Sequence, residues 1–115
     1  MWWVIIGFIV FMMLFKMFML SNISIEDAAD KLKNGAVLVD VRSPGEFSSG
    51  AHPEAVNVPV DNIHGISKYV KSKDKPVLVY CQSGARAASA CSRLRGMGYS
   101  DVSNVGGYSR ASRIF

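Results

Sequence analysis

The chain has 115 residues, half of them hydrophobic, and 13 Lys and Arg against 9 Asp and Glu leave a net charge of +4. That length accommodates one compact domain. Its two cysteines, Cys81 and Cys91, are too few for a disulfide framework, fit no zinc spacing and suit a reducing compartment.

Hydrophobic residues crowd the first stretch, 1–20, where Lys16 is the single charged side chain. A helix of that length rises about 30 Å, enough for a bilayer core. No basic segment precedes the run and no small-x-small site follows it, so an uncleaved transmembrane anchor is expected, not a signal peptide. Lys16, Lys31 and Lys33 lie at or beyond its C-terminal end and no Lys or Arg precedes it. That asymmetry places the remaining domain, 21–115, on the cytoplasmic side of a bacterial-type inner membrane.

After a short polar link (Ser21, Asn22), Ser24 is an N-cap with Asp27 in the first turn, and Ile25, Ala28, Ala29 and Leu32 fall at helical spacing up to Gly35. Residues 36–41 (AVLVDV) read as a buried strand. Ser43, Pro44 and Glu46 form the pattern of a capping box. A brief strand over 56–58 ends at Pro59, and Asp61 is placed to cap a helix with Ile63, Ile66 and Val70 inward. Residues 77–80 (VLVY) are a strong buried strand; 84–97 read as a helix with Ala87, Ala90, Cys91 and Leu94 on one face and Gly98 at its end. A last strand covers 102–105. Alternating strands and helices predict an α/β domain with a central parallel sheet flanked by helices, and a ligand site beyond the carboxyl ends of the strands.

Cys81 falls at such an end. In 77–86 (VLVYCQSGAR) it leaves a buried strand and enters a short loop running into a helix N-terminus. Loop amides without internal partners can converge on the sulfur or a bound anion, and the helix dipole adds positive potential there. Both favour the thiolate, the nucleophilic form. Gly84 permits a tight turn, Ser83 adds a hydroxyl, and Arg86 supplies a planar cationic fork for an oxyanion. The other arginines after Cys81 (Arg93, Arg95, Arg110, Arg113) are scattered without interleaved aromatics. They read as a solvated basic face, and no nucleic-acid partner is expected.

Over most of 23–108 the chain resembles the rhodanese family. The resemblance is carried by 38–42 (LVDVR), Glu46-Phe47, Gly50 and 55–59 (AVNVP), then by the Cys81 to Arg86 loop and by 105–108 (VGGY). It implies a rhodanese-like three-layer fold, here preceded by the transmembrane helix. It also implies a sulfurtransferase in which Cys81 is the catalytic nucleophile, accepting a sulfane sulfur from thiosulfate or a persulfide and passing it to cyanide or a thiol. The backbone of Gln82, Ser83, Gly84, Ala85 and Arg86 would then cradle the persulfide, with Arg86 orienting the donor's sulfonate. No metal and no organic cofactor are implied. Tyrosine-type phosphatases place five residues between Cys and Arg; here there are four, and no aspartate in the loop can serve as general acid.

The family further implies structural roles for Asp40, bonding turn amides, and for Arg42 and Glu46, paired with each other. Where relatives have histidine this chain has Ala51, with His52 displaced by one, so no histidine role is assigned; His64 reads as a surface residue and Cys91 as core. The segment after Gly107 is short and lacks tryptophan, which predicts a short or frayed last helix and a more open site. Those features keep a second function in view, a membrane-tethered sulfur carrier or partner-docking module with little turnover of small donors.

Overall fold

A computed structural model describes residues 1–20 and 22–115, the side chains of 17–20 excepted. Its first element, α1 (Trp2–Leu20), is apolar, and every described side chain on it is exposed. Among the described residues no helix is long and apolar enough to cross a membrane. The transmembrane anchor expected over 1–20 is therefore not supported: no described helix combines the length and the apolar character that a hydrocarbon core of ~30 Å demands. Ser21 of the expected link lies outside the described residues.

Four strands, β1 (Val37–Asp40), β2 (Val56–Asn57), β3 (Val77–Cys81) and β4 (Val102–Gly107), form one parallel sheet in the order β2-β1-β3-β4. The register sets Val39 beside Val56 and Val79, and β3 beside β4 shifts by one residue after Val79. Because strand side chains alternate, each face buries its own set. Val39, Val77, Val79 and Cys81 face α4 (Ala85–Gly96), packing with Ala87, Ala90, Cys91 and Leu94 and with Ile63, Ile66 and Val70. Leu38, Leu78, Tyr80 and Val105 face Ala28 of α2 (Ile25–Lys33), Ala111 of α5 (Tyr108–Ala111) and Ile114. This is the expected three-layer α/β arrangement, and it buries β3 along its whole length.

The local signals act as their chemistry dictates. Ser24 accepts from the Asp27 amide at 3.1 Å, and the capping box of α3 (Pro44–Ser48) closes from both sides. Two expectations change. The stretch Val60–Lys68 is a 3-10 segment entered from Pro59 and kinked at Asn62, so Asp61 caps nothing there. Ile63 and Ile66, three apart, still face the core, a spacing that three residues per turn serves as well as an α-helix does. The basic face is also not simply solvated: Arg93, Arg95 and Arg110 donate to the carbonyls of Val60, Val102 and Val105. Arg110 also holds the Ile23 carbonyl, while the Ile23 amide donates to Asn104, so the chain enters the domain fastened to β4.

Candidate active site

β3 delivers Cys81 to the N-terminus of α4. There its Sγ accepts hydrogen bonds from the Gly84 amide at 2.9 Å and the Ala87 amide at 3.3 Å. The sulfur can be reached this way because Gly84 turns at φ +103°, a conformation that side-chain-bearing residues rarely adopt. Two N–H dipoles and the helix terminus all place positive potential at the sulfur, which stabilises negative charge on it. The amides of Gln82, Ser83, Ala85 and Arg86 make no hydrogen bond among the described residues. They remain available to an anion or to a second sulfur. Cys81 is only 1% exposed while Gln82, Ser83 and Ala85 are exposed, so a donor must touch the loop to reach the sulfur.

Arg86, in the first turn of α4, does not stand free. Its Nη1 and Nη2 donate to Glu46 Oε1 and Oε2 at 2.7 and 2.9 Å, a bidentate pair across to α3. Glu46 is itself held by the Ser43 amide, the returning half of the capping box. The Arg86 guanidinium first, and the Ser43 amide second, pull the Glu46 carboxyl down to about 2, and Glu46 in turn raises Arg86 above its ordinary value. The pairing expected between Arg42 and Glu46 is thus corrected. Glu46 serves the arginine after Cys81, and Arg42 turns back to Asp40 at the end of β1.

Arg42 is buried with Asp40, which accepts its Nε at 3.1 and 3.0 Å, its Nη2 at 2.7 Å and its backbone amide at 2.8 Å. The remaining donors of Arg42 reach the Gly50 carbonyl at 2.7 Å and Gln82 Oε1 at 3.2 Å. The rings of Tyr80 and Tyr108 lie 5.8 and 4.6 Å from its guanidinium carbon. Asp40 raises the Arg42 pKa, so the cation is fixed. Asp40 does bond a turn amide, as expected, and it also anchors the cation that touches the Cys81 loop.

The structure brings Cys81, Gln82, Ser83, Gly84, Ala85 and Arg86 into one loop around the sulfur. Sequence reasoning missed what supports that loop from β4. The Gln82 carbonyl accepts from the Tyr108 amide at 3.3 Å, and a Cβ on Gly107 would lie 2.7 Å from that same carbonyl oxygen. Asn104, buried, caps the turn by accepting from the Gly106 amide at 2.8 Å. The Gly106-Gly107 pair was the available signal. His52 also gains a role: Nδ1 accepts from the Glu54 amide, and Nε2 lies 2.7 Å from the Ile114 carbonyl. The last helix is short, as expected, but not frayed, since Ala111 and Ile114 are buried and His52 pins the tail. His64 is exposed, and Cys91 packs in the core, where burial pushes its thiol up to about 12. A cavity of about 450 Å³ opens between His52, Pro53, Tyr108, Ile114 and Phe115, and Cys81 is not part of its wall.

Comparison with known proteins then places the chain among proteins of one family. The model of the rhodanese-like domain matches residues 24–112. A sulfurtransferase of Allochromatium vinosum is 36% identical over 91 residues, covering 77% of this chain and 84% of that protein. A thiosulfate sulfurtransferase of Pseudomonas syringae pv. syringae is 42% identical over 84 residues, covering 71% and 76%. Among solved structures, the human single-domain sulfurtransferase superposes with a TM-score of 0.66 at 26% identity, over 78% of this chain and 93% of that one. The chain belongs to the rhodanese-like domain family, and these three relatives are sulfurtransferases.

Proposed function

We propose that this protein is a sulfurtransferase in which Cys81 takes a sulfane sulfur from thiosulfate or a persulfide donor and passes it to cyanide or a thiol. In the first half-reaction the Cys81 thiolate attacks the donor's outer sulfur. The donor S–S bond breaks, its electron pair leaves with sulfite or with a thiolate, and Cys81 holds a persulfide. In the second, cyanide or a thiolate attacks the outer sulfur and Cys81 returns as thiolate, so no external oxidant or reductant is consumed. The amides of Gly84 and Ala87 hold the inner sulfur, the open amides of Gln82, Ser83, Ala85 and Arg86 are offered to the outer one, and Arg86 faces the donor. The observation that carries this reading is the pair of N–H donors on Cys81 Sγ at the start of α4.

The test is intact mass of the full chain after incubation with thiosulfate or an organic persulfide, for wild type and Cys81→Ala. A gain of one sulfur, about 32 Da, on wild type alone and reversed by cyanide is the expected result. Folded wild type that takes sulfur from neither donor would sink it. A second reading, a sulfur carrier or docking module with little small-donor turnover, draws support from the Glu46–Arg86 pair, which leaves less of the guanidinium for a small anion. Single-turnover loading without steady-state thiosulfate turnover would favour it.

The same proposal places the domain on the cytoplasmic side of a bacterial-type inner membrane, tethered through residues 1–20. Its support is α1 itself, apolar apart from Lys16 and exposed at every described side chain, which calls for an apolar surrounding. Recovery of the full chain in the membrane fraction after alkaline carbonate extraction is expected; recovery in the soluble fraction would end the idea.

A further inference from the structure

Both arginines that reach the Cys81 loop have a carboxylate on them. Arg86 is bound through both terminal nitrogens by Glu46, and Arg42, which touches Gln82, is bound by Asp40 at 2.7 Å. Among the described residues no other Lys, Arg or His side chain hydrogen-bonds to the loop. The nearby Arg110 directs its guanidinium to the carbonyls of Val105 and Ile23. The formal charge of these two pairs is zero before the Cys81 thiolate is counted. What remains positive is the backbone: the amides and the end of α4, which bind one anionic sulfur but do not match a dianion.

We infer that the site selects organic sulfane donors of low charge, persulfides above all, over the thiosulfate dianion, and that Glu46 sets this selection by neutralising Arg86. The inference rests on Cys81 being the sulfur acceptor. With thiosulfate, thiolate and donor together bring three negative charges, which leave as a persulfide anion and sulfite dianion. With a neutral persulfide, R–S–SH, the thiolate attacks the terminal sulfur, R–S⁻ departs, and Cys81 carries S–SH; one negative charge is present throughout. Glu46 is thus a specificity-determining residue acting through Arg86.

The experiment compares two donors that deliver the same sulfane sulfur and differ by one charge, thiosulfate and methanethiosulfonate, whose leaving group is methanesulfinate. Loading of Cys81 is followed by mass, and kcat/KM by thiocyanate formed with cyanide, in the wild-type full chain, in Glu46→Gln and in Arg86→Gln. Gln at this position keeps the capping box, so α3 retains its start; matching circular dichroism melts verify the fold.

Wild type is expected to prefer methanethiosulfonate. Glu46→Gln exposes one positive charge a few ångströms from the donor. It should raise the thiosulfate to methanethiosulfonate ratio of kcat/KM about tenfold, an effect shrinking in 0.5 M salt. Arg86→Gln should lower the ratio. A ratio moved by less than about twofold in Glu46→Gln, with both donors loading Cys81, overturns the inference and leaves the sulfurtransferase reading standing. If neither of these donors nor an organic persulfide places sulfur on wild-type Cys81, the reading beneath falls and takes the inference with it.

Discussion

Replacing Arg42 by methionine isolates the interaction that ties the sheet to the Cys81 loop. Methionine keeps an unbranched apolar stem of similar reach between Tyr80 and Tyr108 but removes every charged donor. Asp40, fully buried, would keep only the amide of residue 42 and lose contacts of 3.1, 3.0 and 2.7 Å. Breaking a buried ion pair from one side costs about 3–5 kcal/mol, because the remaining charge is left uncompensated. The Gly50 carbonyl also loses its donor, an overlapping loss of about 1–3 kcal/mol. A total near 4 kcal/mol is expected, a large part of the roughly 5–15 kcal/mol that a domain possesses. Urea unfolding at pH 7 followed by circular dichroism reads this directly. Adding Asp40→Asn should restore about 2 kcal/mol by removing the stranded charge. A loss under about 1 kcal/mol, the worth of a surface pair, would refute the account.

The close approach of β4 to the loop makes Gly107→Ala a sharp test: a Cβ 2.7 Å from the Gln82 carbonyl forces the loop to move. About 1–3 kcal/mol of destabilisation and a sulfur-loading rate at least about tenfold lower are expected in stopped-flow or mass kinetics; unchanged loading would show that the loop is not held by this contact. Glu46, drawn down to about 2 by Arg86 and then by Ser43, contributes stability that is fully present above the ordinary carboxyl range and is lost as pH falls through about 2. Acid melts of Glu46→Gln should therefore fall less between pH 5 and pH 2 than those of wild type, and parallel curves would contradict the pairing. Cys91, raised to about 12 by burial, should resist iodoacetamide at pH 8 in folded Cys81→Ala and react only after denaturation. Alkylation of the native variant would place Cys91 nearer solvent than the fold does.

The elements were legible because their signals are local. Ser24 and Ser43 cap through atoms three residues away, the apolar run of β3 needs only its own composition, and the strand–Cys–Gly–Arg order marks the candidate site within ten residues. The long 3-10 segment was less legible, since Ile63 and Ile66 satisfy a helix of either pitch and Pro59 leaves the entry open.

Sequence by itself determined the fold class, the family and the loop that holds Cys81, because backbone preference and side-chain period act over neighbouring residues. Only tertiary structure decided which carboxylate meets which arginine. Arg42 follows β1, Glu46 lies in α3 and Arg86 in α4, and several pairings satisfy their charges equally well on paper. Burial chose among them: Asp40 has no water to turn to and must take Arg42, which leaves Glu46, fixed by its own helix cap, facing Arg86. The support of the loop by Gly107 and the pinning of Ile114 by His52 have the same origin. Distant segments meet there because the sheet brings them together, and no spacing along the chain records such a meeting.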